Sequence, residues 1–423
     1  MRATPLLACT LAAALALSGM ADAVPVNPST AAVQVTLQVP LPQSITVRVL
    51  RADGQVLAVI GPVSAAAGPV TVPWSGGRGP GATGSMVPDG DYRLEGVAAA
   101  GTILPTTPAT VSVDATPPHP VLDPPTPSVP MAPGDSIPLR AGGADEVRAV
   151  VRRLGANGPV LATGAWKPAG TSLALPIALR SRNIVGLVSV TAVGRDAAGN
   201  IGQSAPVLWA AQPAAGTPIV VRRITTTRPL VALTIDDGYG PREAARMITA
   251  ARSAGVTITF CFNAINRSMW SASFRTMLAK AVRDGVLEVC SHGYSHRTGT
   301  STSESAGVQD LTWNQSWDRI AGYPTAPFYR PPYGAYGPGL RAAAQRLGYR
   351  YVLLWDVDTN DWRGPSASTI VQRAVGGARR GSIILMHTKP NTAAAFPDII
   401  RGLRAKGLRP VGLGELFSAG RPG

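Results

Sequence analysis

Two adjacent carboxylates, Asp236 and Asp237, follow the apolar run Leu230–Ile235 and precede a glycine. The run shows no alternation of apolar and polar residues, which predicts a strand buried on both faces. Such a strand carries two charges to the edge of a core, where unpaired charges are costly. A metal ion or an arginine is the usual compensating partner. Taken alone, however, this stretch is explained better by an ordinary Asp-Gly turn.

Three of the four histidines in the chain also follow predicted strands. His292 and His296 stand four residues apart, so both imidazoles reach one point if the segment turns helically. Two histidines and a carboxylate, with positions left open for water, form a common catalytic metal site. The HxxxH spacing is weak evidence by itself and gains weight only beside the acidic pair. His387 ends another apolar run, where a core histidine with a backbone hydrogen bond is the alternative.

Two further polar groups follow predicted strands. Arg330 precedes the segment Pro-Pro-Tyr-Gly, and an arginine there can pair with a buried carboxylate and stay charged. Asp358 and Asp361 stand close to two tryptophans after the run Tyr349–Trp355. The alternatives are a proline turn for the first group and a capping turn with packed aromatics for the second.

Residues 216–423 alternate apolar runs with amphipathic stretches, which predicts a parallel sheet with helices outside it. About seven such units fit a closed or nearly closed (β/α) barrel, whose active site gathers at the C-terminal ends of the strands. The predicted strands are Leu230–Ile235, Val256–Phe262, Val286–Cys290, Pro327–Arg330, Tyr349–Trp355, Ser382–Met386 and Pro410–Leu413. The predicted helices are Arg242–Ala254, Ser273–Arg283, Gly339–Leu347 and Ser368–Ala378.

The preceding part of the chain predicts all-β structure. Residues 24–115 alternate apolar and polar residues between turn signals. Trp74 and the PDGDY segment ending at Tyr92 resemble the Ig-like domain of flagellar-hook-capping proteins, which implies that both rings pack in a β-sandwich. Residues 116–130 are rich in proline and predict a stiff linker. Residues 131–212 contain a DxAGN-like turn and predict a second Ig-like sandwich, so we expect two spacer or carbohydrate-adhesion modules.

Residues 1–23 predict a signal peptide, since Arg2, an apolar stretch and Ala-Asp-Ala stand in that order. The apolar stretch is shorter than a bilayer span, so we expect an exported, secreted or cell-wall-associated protein without a transmembrane anchor. Removal of this segment leaves Cys261 and Cys290 at the ends of apolar runs. We expect two buried thiols, with a disulfide as the alternative in an oxidising compartment.

The formal net charge is +15, and 26 of the 39 basic residues lie in residues 216–423. A basic surface can attract nucleic acid, anionic lipid or an anionic polymer. The chain has no basic stripe with interleaved aromatics, so we do not expect nucleic-acid binding. A hydrophobic content of 45% excludes a largely disordered protein.

Five motifs at these strand ends, taken in order, resemble those of the NodB-homology polysaccharide deacetylases, carbohydrate esterase family 4. They are TIDDG at 234–238, HGYSH at 292–296, RPPYG at 330–334, DTNDW at 358–362 and ILMHT at 384–388. The resemblance covers roughly residues 225–416. It implies that Asp237, His292 and His296 bind a divalent metal, usually zinc and sometimes cobalt.

The same resemblance implies an acid and a base. Asp236 would be the general base that deprotonates the attacking water, and Arg330 would hold it ionised. His387 would be the general acid that protonates the leaving amine, and Asp361 would raise its pKa. Amide hydrolysis needs both functions, because water must be activated and an amine is a poor leaving group.

The remaining implied roles concern the substrate. The backbone N–H of Tyr333 would stabilise the oxyanion, while Trp362 and Leu385 would wall the pocket for the acetyl methyl group. We therefore expect an N-deacetylase of peptidoglycan first, then of chitin-like polymers or exopolysaccharide. An O-acetyl esterase acting on xylan and a non-catalytic wall-binding or adhesion protein are the alternatives, and the oligomeric state stays open.

Three positions depart from the family pattern. Gly293 replaces the serine or threonine commonly found after the first metal histidine, and Thr388 replaces the aspartate often found after the acid histidine. Tyr239 and Gly240 precede Pro241, where many members have proline directly after the DDG sequence. No implied ligand, base or acid is missing, so we expect these departures to affect the groove and not the reaction itself.

Overall fold

The computed structural model describes residues 25–123, 135–154, 158–176, 184–211, 216–321 and 324–423. The predicted signal peptide and part of the predicted linker lie outside these ranges. By compactness the chain divides into two units. The first comprises Met1–His119, Gly143–Glu146 and Gly194–Gly202, and the second comprises Pro120–Gly142, Val147–Val193 and Gln203–Gly423. The division into a signal peptide, two Ig-like domains, a linker and a catalytic domain stays a prediction.

The first unit contains two sheets. In the smaller sheet, Val33–Val39 is the central strand and pairs antiparallel with both of its neighbours. In the larger sheet, Gln43–Leu50 pairs antiparallel with Val56–Ala65 and with Gly90–Ala98. Alternate residues of a strand point to the same face, and the inward residues of both sheets form one hydrophobic cluster. Trp74 and Tyr92 lie edge to face in it, 6.4 Å between ring centroids, which confirms their predicted packing. The strands up to residue 113 are Val33–Val39, Gln43–Leu50, Val56–Ala65, Gly68–Trp74, Gly79–Pro80, Gly90–Ala98, Ile103–Leu104, Thr106–Thr107 and Thr110–Val113.

The stretch that follows is also rich in strands. Val121–Leu122, inside the predicted linker, pairs with Ser136–Arg140, so part of that linker is strand. The long strand Gly186–Arg195 pairs antiparallel with Val207–Ala211. The strands of this stretch are Val121–Leu122, Ser136–Arg140, Glu146–Arg153, Val160–Thr163, Lys167–Pro168, Ser172–Ala174, Gly186–Arg195, Ile201–Gln203 and Val207–Ala211. The all-β character is confirmed, and the Ig-like type stays a prediction.

A parallel sheet of nine strands dominates the second unit. Its strands β1–β9 are Ile219–Val221, Leu230–Asp237, Ile258–Phe262, Leu287–Ser291, Phe328–Tyr329, Tyr351–Leu353, Val357–Asp358, Ile383–His387 and Arg409–Val411. Its helices α1–α7 are Pro241–Ala254, Ala272–Arg283, Glu304–Ala321, Pro338–Arg346, Ala367–Gly377, Pro390–Ala405 and Leu413–Ser418. The strand order is β1-β6-β5-β4-β3-β2-β8-β7, with β9 also paired to β2.

The sheet is an open half-barrel. The parallel, barrel-like sheet that the sequence predicted is confirmed, with nine strands where about seven were expected. Among the described residues β1 and β7 are its edges and do not pair with each other, so only the expected closure of the barrel is corrected. The two strands that the sequence did not reveal, Ile219–Val221 and Val357–Asp358, have three and two residues. Such short segments leave too few positions for a hydrophobic pattern to show.

Burial explains why these elements form. All eight residues of β2 are buried, as its unbroken apolar run predicted. Helix α1 buries Ala244, Met247, Ile248 and Ala251, which are spaced as one face of an amphipathic helix. It ends at Gly255, which adopts the left-handed conformation (φ 60°) that favours glycine after a helix. None of the described helices is both long and apolar enough to cross a bilayer.

The prediction of two separate buried thiols is wrong. Cys261 on β3 and Cys290 on β4 are register partners in adjacent strands and form a disulfide. Their Cα atoms are 4.4 Å apart, which lies within the range that a disulfide can bridge. The sequence places both residues at the ends of apolar runs but does not show that the two runs are neighbours.

Candidate active site and metal centre

The polar residues converge because the strands are parallel. Asp236 and Asp237 are the last two residues of β2, His387 is the last residue of β8, and His292 directly follows β4. Asp236 and His387 are register partners. Parallel strands have their carboxyl ends at the same edge of the sheet. All these side chains therefore lie together at that edge.

A three-ligand cluster lies at this edge. Nε2 of His296 is 3.2 Å and Nε2 of His292 is 3.4 Å from Oδ1 of Asp237. The candidate ligand atoms of these three residues all lie within 4.8 Å of one another. Nδ1 of His292 lies 2.7 Å from the backbone carbonyl of Arg330, so Nδ1 carries a proton, and in the neutral imidazole Nε2 is the nitrogen left to bind a metal ion.

The cluster fits a divalent ion. Oδ1 of Asp237 is buried and has no hydrogen-bond partner within the described part of the chain, although buried acceptors are normally satisfied. Burial acts to raise the pKa of Asp237, but His292 and His296 outweigh it and hold that pKa well below its usual range. An ionised carboxylate and two imidazoles form the donor set of many catalytic metal centres, which leave a position open for water.

The loop between the two histidines is not helical, which corrects the expectation of a helical turn. It follows β4 directly, with positive φ at Gly293 (72°) and His296 (53°). Asn263 fixes its start, because its amide nitrogen donates to the carbonyls of His292 (2.6 Å) and Gly293 (2.9 Å). Asp310 fixes its middle by accepting three hydrogen bonds from the next two residues.

Unusual backbone conformations concentrate at this site. Left-handed φ is uncommon outside glycine and costs free energy unless the surroundings impose it. Of the six non-glycine residues with positive φ in the described ranges, four belong to the five motifs: Asp237, His296, Tyr333 and Asn360. The fold therefore holds these four residues in place against their intrinsic preference.

A buried ion pair stands beside the metal cluster. Arg330 is fully buried, and its Nη1 donates to Oδ1 of Asp236 at 2.8 Å. The same nitrogen donates to the hydroxyl of Thr234 at 2.8 Å, and Nη2 donates to the carbonyl of Leu354. Because this guanidinium is held on several sides, it fixes the orientation of the Asp236 carboxylate.

A second acid–base pair lies across the cleft. Nδ1 of His387 is 2.7 Å from Oδ1 of Asp361. The other carboxylate oxygen accepts the backbone N–H of His387 (2.7 Å) and the hydroxyl of Thr392 (2.6 Å). Burial acts to lower the pKa of His387, but the hydrogen bond to Asp361 and the charge of Asp236 outweigh it and raise that pKa. His387 is therefore suited to donate a proton.

These groups line one cleft of about 540 Å³. Tyr333 and Trp362 are 70% and 52% exposed at its mouth, and Leu385 is buried in its wall. The ring of Tyr333 packs edge to face on His296. The residues lining the cleft are Asp236, Asp237, Tyr239, His292, His296, Pro331, Tyr333, Trp355, Asp358, Asn360, Trp362, Arg363, Leu385 and His387.

Two of the departures from the family pattern contact each other. The N–H of Gly240 donates to the hydroxyl of Thr388 at 3.1 Å, and a Cβ at Gly240 would lie 2.4 Å from the carbonyl oxygen of Thr388. Gly293, the third departure, lies close to another side chain, since a Cβ at this position would be 2.6 Å from Oδ2 of Asp310. The departures thus form local arrangements that support the site and leave its proposed reactive groups in place.

Sequence inspection missed several supporting residues. Asn263 directly follows β3, so the same strand-end signal that marked the histidines was available for it. Asp310 and Thr392 lie within helices α3 and α6, where no local pattern distinguishes them from solvent-facing polar residues. Tyr239 and Arg363 adjoin two of the motifs and were not assigned to the cleft.

Comparison with known proteins gives the same assignment. Residues 223–352 match the family model for polysaccharide deacetylase. A bifunctional xylanase/xylan deacetylase of Cellvibrio japonicus is 35% identical over 182 residues, which cover 43% of this chain and 26% of that protein. A peptidoglycan-N-acetylglucosamine deacetylase of Bacillus cereus is 30% identical over 198 residues, which cover 45% of this chain and 69% of that protein.

The solved structures include a family 4 carbohydrate esterase from Streptomyces lividans in complex with acetate. It is 30% identical, with a TM-score of 0.38, and the match covers 44% of this chain and 93% of that chain. The chain thus spans about a quarter of the first relative and about two thirds of the second. With the family model, the ordered motifs and the clustered ligands, the match to the Bacillus cereus deacetylase shows that the chain belongs to the polysaccharide deacetylase family, carbohydrate esterase family 4.

Proposed function

We propose that this protein is an exported, metal-dependent deacetylase that hydrolyses N-acetyl groups of a cell-wall or extracellular polysaccharide. The observation that carries the proposal is that three kinds of group share one cleft. They are the ligand cluster of Asp237, His292 and His296, the carboxylate Asp236 held by Arg330, and the protonated His387. Together these groups can activate a water molecule and protonate an amine leaving group, which are the two functions that amide hydrolysis requires.

The ligand cluster would hold zinc, with cobalt as an alternative. Bound there, a divalent ion lowers the pKa of water and polarises the substrate carbonyl. Asp236 accepts the proton of the attacking water, and the hydrogen bond from Arg330 keeps its carboxylate oriented. The backbone N–H of Tyr333 donates a hydrogen bond to the oxygen on which negative charge develops.

The second half of the reaction belongs to His387. Its pKa is raised, which favours the imidazolium form that can donate a proton when the carbon–nitrogen bond breaks. It donates that proton to the leaving amine, and Asp361 stabilises the imidazolium and fixes the ring orientation. Trp362 and Leu385 enclose the acetyl methyl group, which positions the carbonyl for attack.

Peptidoglycan is the substrate we place first. The relative from Bacillus cereus is named for peptidoglycan, and the net charge of +15 favours a polyanionic wall. Chitin-like polymers and exopolysaccharide follow. A specific observation supports the O-acetyl alternative, since the relative from Cellvibrio japonicus is named for xylan deacetylation.

The rest of the chain would direct export of the enzyme and provide spacer or adhesion modules. Residues 1–23 would direct export, and the mature protein would be secreted or associated with the cell wall. The strand-rich regions would be Ig-like modules. The first is supported by the contact of Trp74 with Tyr92 and by the hydrogen bond from the Tyr92 hydroxyl to the carbonyl of Pro88 at 2.6 Å, which resembles a tyrosine corner.

The substitution Asp236→Asn tests the proposal. Acetate release from peptidoglycan, chitin oligomers and acetylated xylan is measured before and after zinc is removed with a chelator and restored. We expect zinc-dependent release from at least one polymer, and a fall of about 10²–10⁴-fold in kcat in the variant because the base is lost.

Zinc stoichiometry should stay unchanged in Asp236→Asn, since this residue is not a proposed ligand. Asp398→Asn, at an exposed ion pair on α6, is the matched control and should retain activity. Full activity of Asp236→Asn would contradict the proposal. Retention of polymer by an inactive wild-type protein would favour the adhesion alternative.

A further inference from the structure

Two cations stand over aromatic rings beside the cleft. Cζ of Arg363 lies 4.7 Å from the ring centroid of Trp362, and both residues line the cleft. Nζ of Lys389 lies 4.7 Å from the ring centroid of Tyr239, which also lines it. A cation over a ring face is attracted to the ring and is held there without losing its hydrogen-bond donors.

These two side chains have no carboxylate partner. Among the described residues, no ion pair within 4 Å involves Arg363 or Lys389. Arg363 is exposed and Lys389 is half-buried. Both groups therefore have donors free to bind an anion, and a partly desolvated cation binds an anion more strongly than a fully hydrated one.

The carboxylates of the cleft, in contrast, are already engaged. Asp236 pairs with Arg330 and Asp361 pairs with His387. Asp237 faces two imidazoles. Asp358 accepts the backbone N–H of Asn360 at 2.7 Å. Among the described residues, Asp358 is the one carboxylate of the cleft lining that faces no basic group, and the two cations Arg363 and Lys389 outnumber it.

The two cations adjoin the acid–base pair in sequence. Trp362 and Arg363 follow Asp361, and Lys389 stands two residues after His387. His387 must reach the nitrogen of the sugar that loses its acetyl group. A sugar placed for that proton transfer occupies the cleft that His387 shares with Tyr239, Trp362 and Arg363.

We propose that Arg363 and Lys389 are specificity-determining residues that bind a carboxylate of an N-acetylated glycan at or next to the sugar that is deacetylated. This inference rests on the proposed deacetylase function. The guanidinium of Arg363 can bind the carboxylate with two parallel hydrogen bonds, and the ammonium of Lys389 adds a second charge. Neutral polymers would lack this contact.

The experiment compares two forms of one polymer. Peptidoglycan glycan strands freed of their peptides carry a lactyl carboxylate on alternate sugars, and carbodiimide-coupled amidation converts that carboxylate to a neutral amide. Acetate release from both forms is measured with the zinc-loaded full chain. We expect kcat/KM to be about 10-fold higher on the carboxylate form, mainly through a lower KM.

The substitutions Arg363→Gln and Lys389→Gln test the residues. Each should lower the ratio of kcat/KM on the two forms toward one, and added salt should lower the wild-type ratio. Arg346→Gln, at a largely exposed arginine on α4 outside the cleft lining, should retain both the ratio and the activity. A structural role would lower activity on both forms and leave the ratio unchanged.

The outcomes separate the two proposals. Equal kcat/KM on the carboxylate and amide forms, or an unchanged ratio in both variants, would overturn the inference while leaving the deacetylase function standing. No acetate release from any polymer with zinc bound would overturn the proposed function and the inference with it. A preference for the amidated form would also contradict the inference.

Discussion

At the residue scale, Asp361 extends the pH range over which His387 stays protonated. One oxygen of Asp361 faces Nδ1 of His387 and the other accepts from the His387 backbone N–H and from Thr392. The hydrogen bonds from the backbone N–H and from Thr392 thus fix the Asp361 carboxylate whether or not the imidazole is charged. This carboxylate raises the pKa of His387 against the opposing effect of burial, so the imidazolium form persists to higher pH.

We predict that Asp361→Asn moves the alkaline limb of the kcat profile to lower pH. The proposed acid must be protonated, and removal of the negative charge lowers the pKa of His387, so the acid is lost earlier as pH rises. The measurement is acetate release against pH on one polymer with zinc at saturation. Asp398→Asn should leave both limbs in place. A uniform loss of activity at every pH would contradict the assigned role.

At the element scale, helix α3 supports the metal site from outside. Asp310 accepts the N–H of Tyr294 at 2.9 Å, and the N–H and hydroxyl of Ser295 at 3.0 Å and 2.6 Å. These bonds close the short loop that joins the two histidines, where His296 adopts a left-handed conformation. Without them the loop can relax, and the two imidazoles no longer point at one place.

We predict that Asp310→Ala weakens zinc binding by about 10–100-fold, because partners of metal ligands orient them. Zinc affinity is measured by competition with a chelating dye, so the result does not depend on activity. Glu304→Ala, at an exposed position of the same helix, should bind zinc as the wild type does. Equal affinities of the two variants would show that α3 does not orient the ligands.

The elements also show what the sequence could predict. Residues Leu230–Ile235 form an unbroken apolar run, so their strand and the carboxylates at its end could be predicted. The five-motif order predicted which residues share a cleft. Asp310 could not be predicted, because its contact with the loop depends on how α3 packs. The disulfide of Cys261 and Cys290 likewise depends on which strands are neighbours.

At the scale of the whole second unit, half-buried Arg153 and buried Glu288 lie where the strand-rich stretch meets α7 and the parallel sheet. Arg153, from the strand Glu146–Arg153, donates to the hydroxyl of Ser418 on α7 at 3.1 Å. Glu288 on β4 accepts the N–H of Gly414 at 2.9 Å. Nη1 of Arg153 and Oε1 of Glu288 have no hydrogen-bond partner within the described residues. This stretch therefore contacts the catalytic sheet through groups that are expensive to bury when charged.

Burial raises the pKa of Glu288 from 4.5 to about 7, with Glu415 adding to the rise, and the Gly414 N–H and Arg153 oppose it. The folded state thus prefers the neutral carboxyl. Its contribution to stability is fully present below pH 4.5 and is lost as pH rises through about 7, a change of about 3 kcal/mol in the free energy of unfolding. Substitution by glutamine removes this titration.

We predict that Glu288→Gln is more stable than the wild type above about pH 8 and that this difference shrinks toward pH 5. The free energy of unfolding is measured by denaturant titration at several pH values, with the disulfide intact. Glu304→Gln, whose carboxylate is exposed, should follow the wild-type curve at every pH. A difference between Glu288→Gln and the wild type that does not vary with pH would show that Glu288 is not the group that titrates. Glu288 lies four residues before His292 on the same chain segment. Acetate release measured at the same pH values, without denaturant, would show whether ionisation of Glu288 also disturbs the metal site.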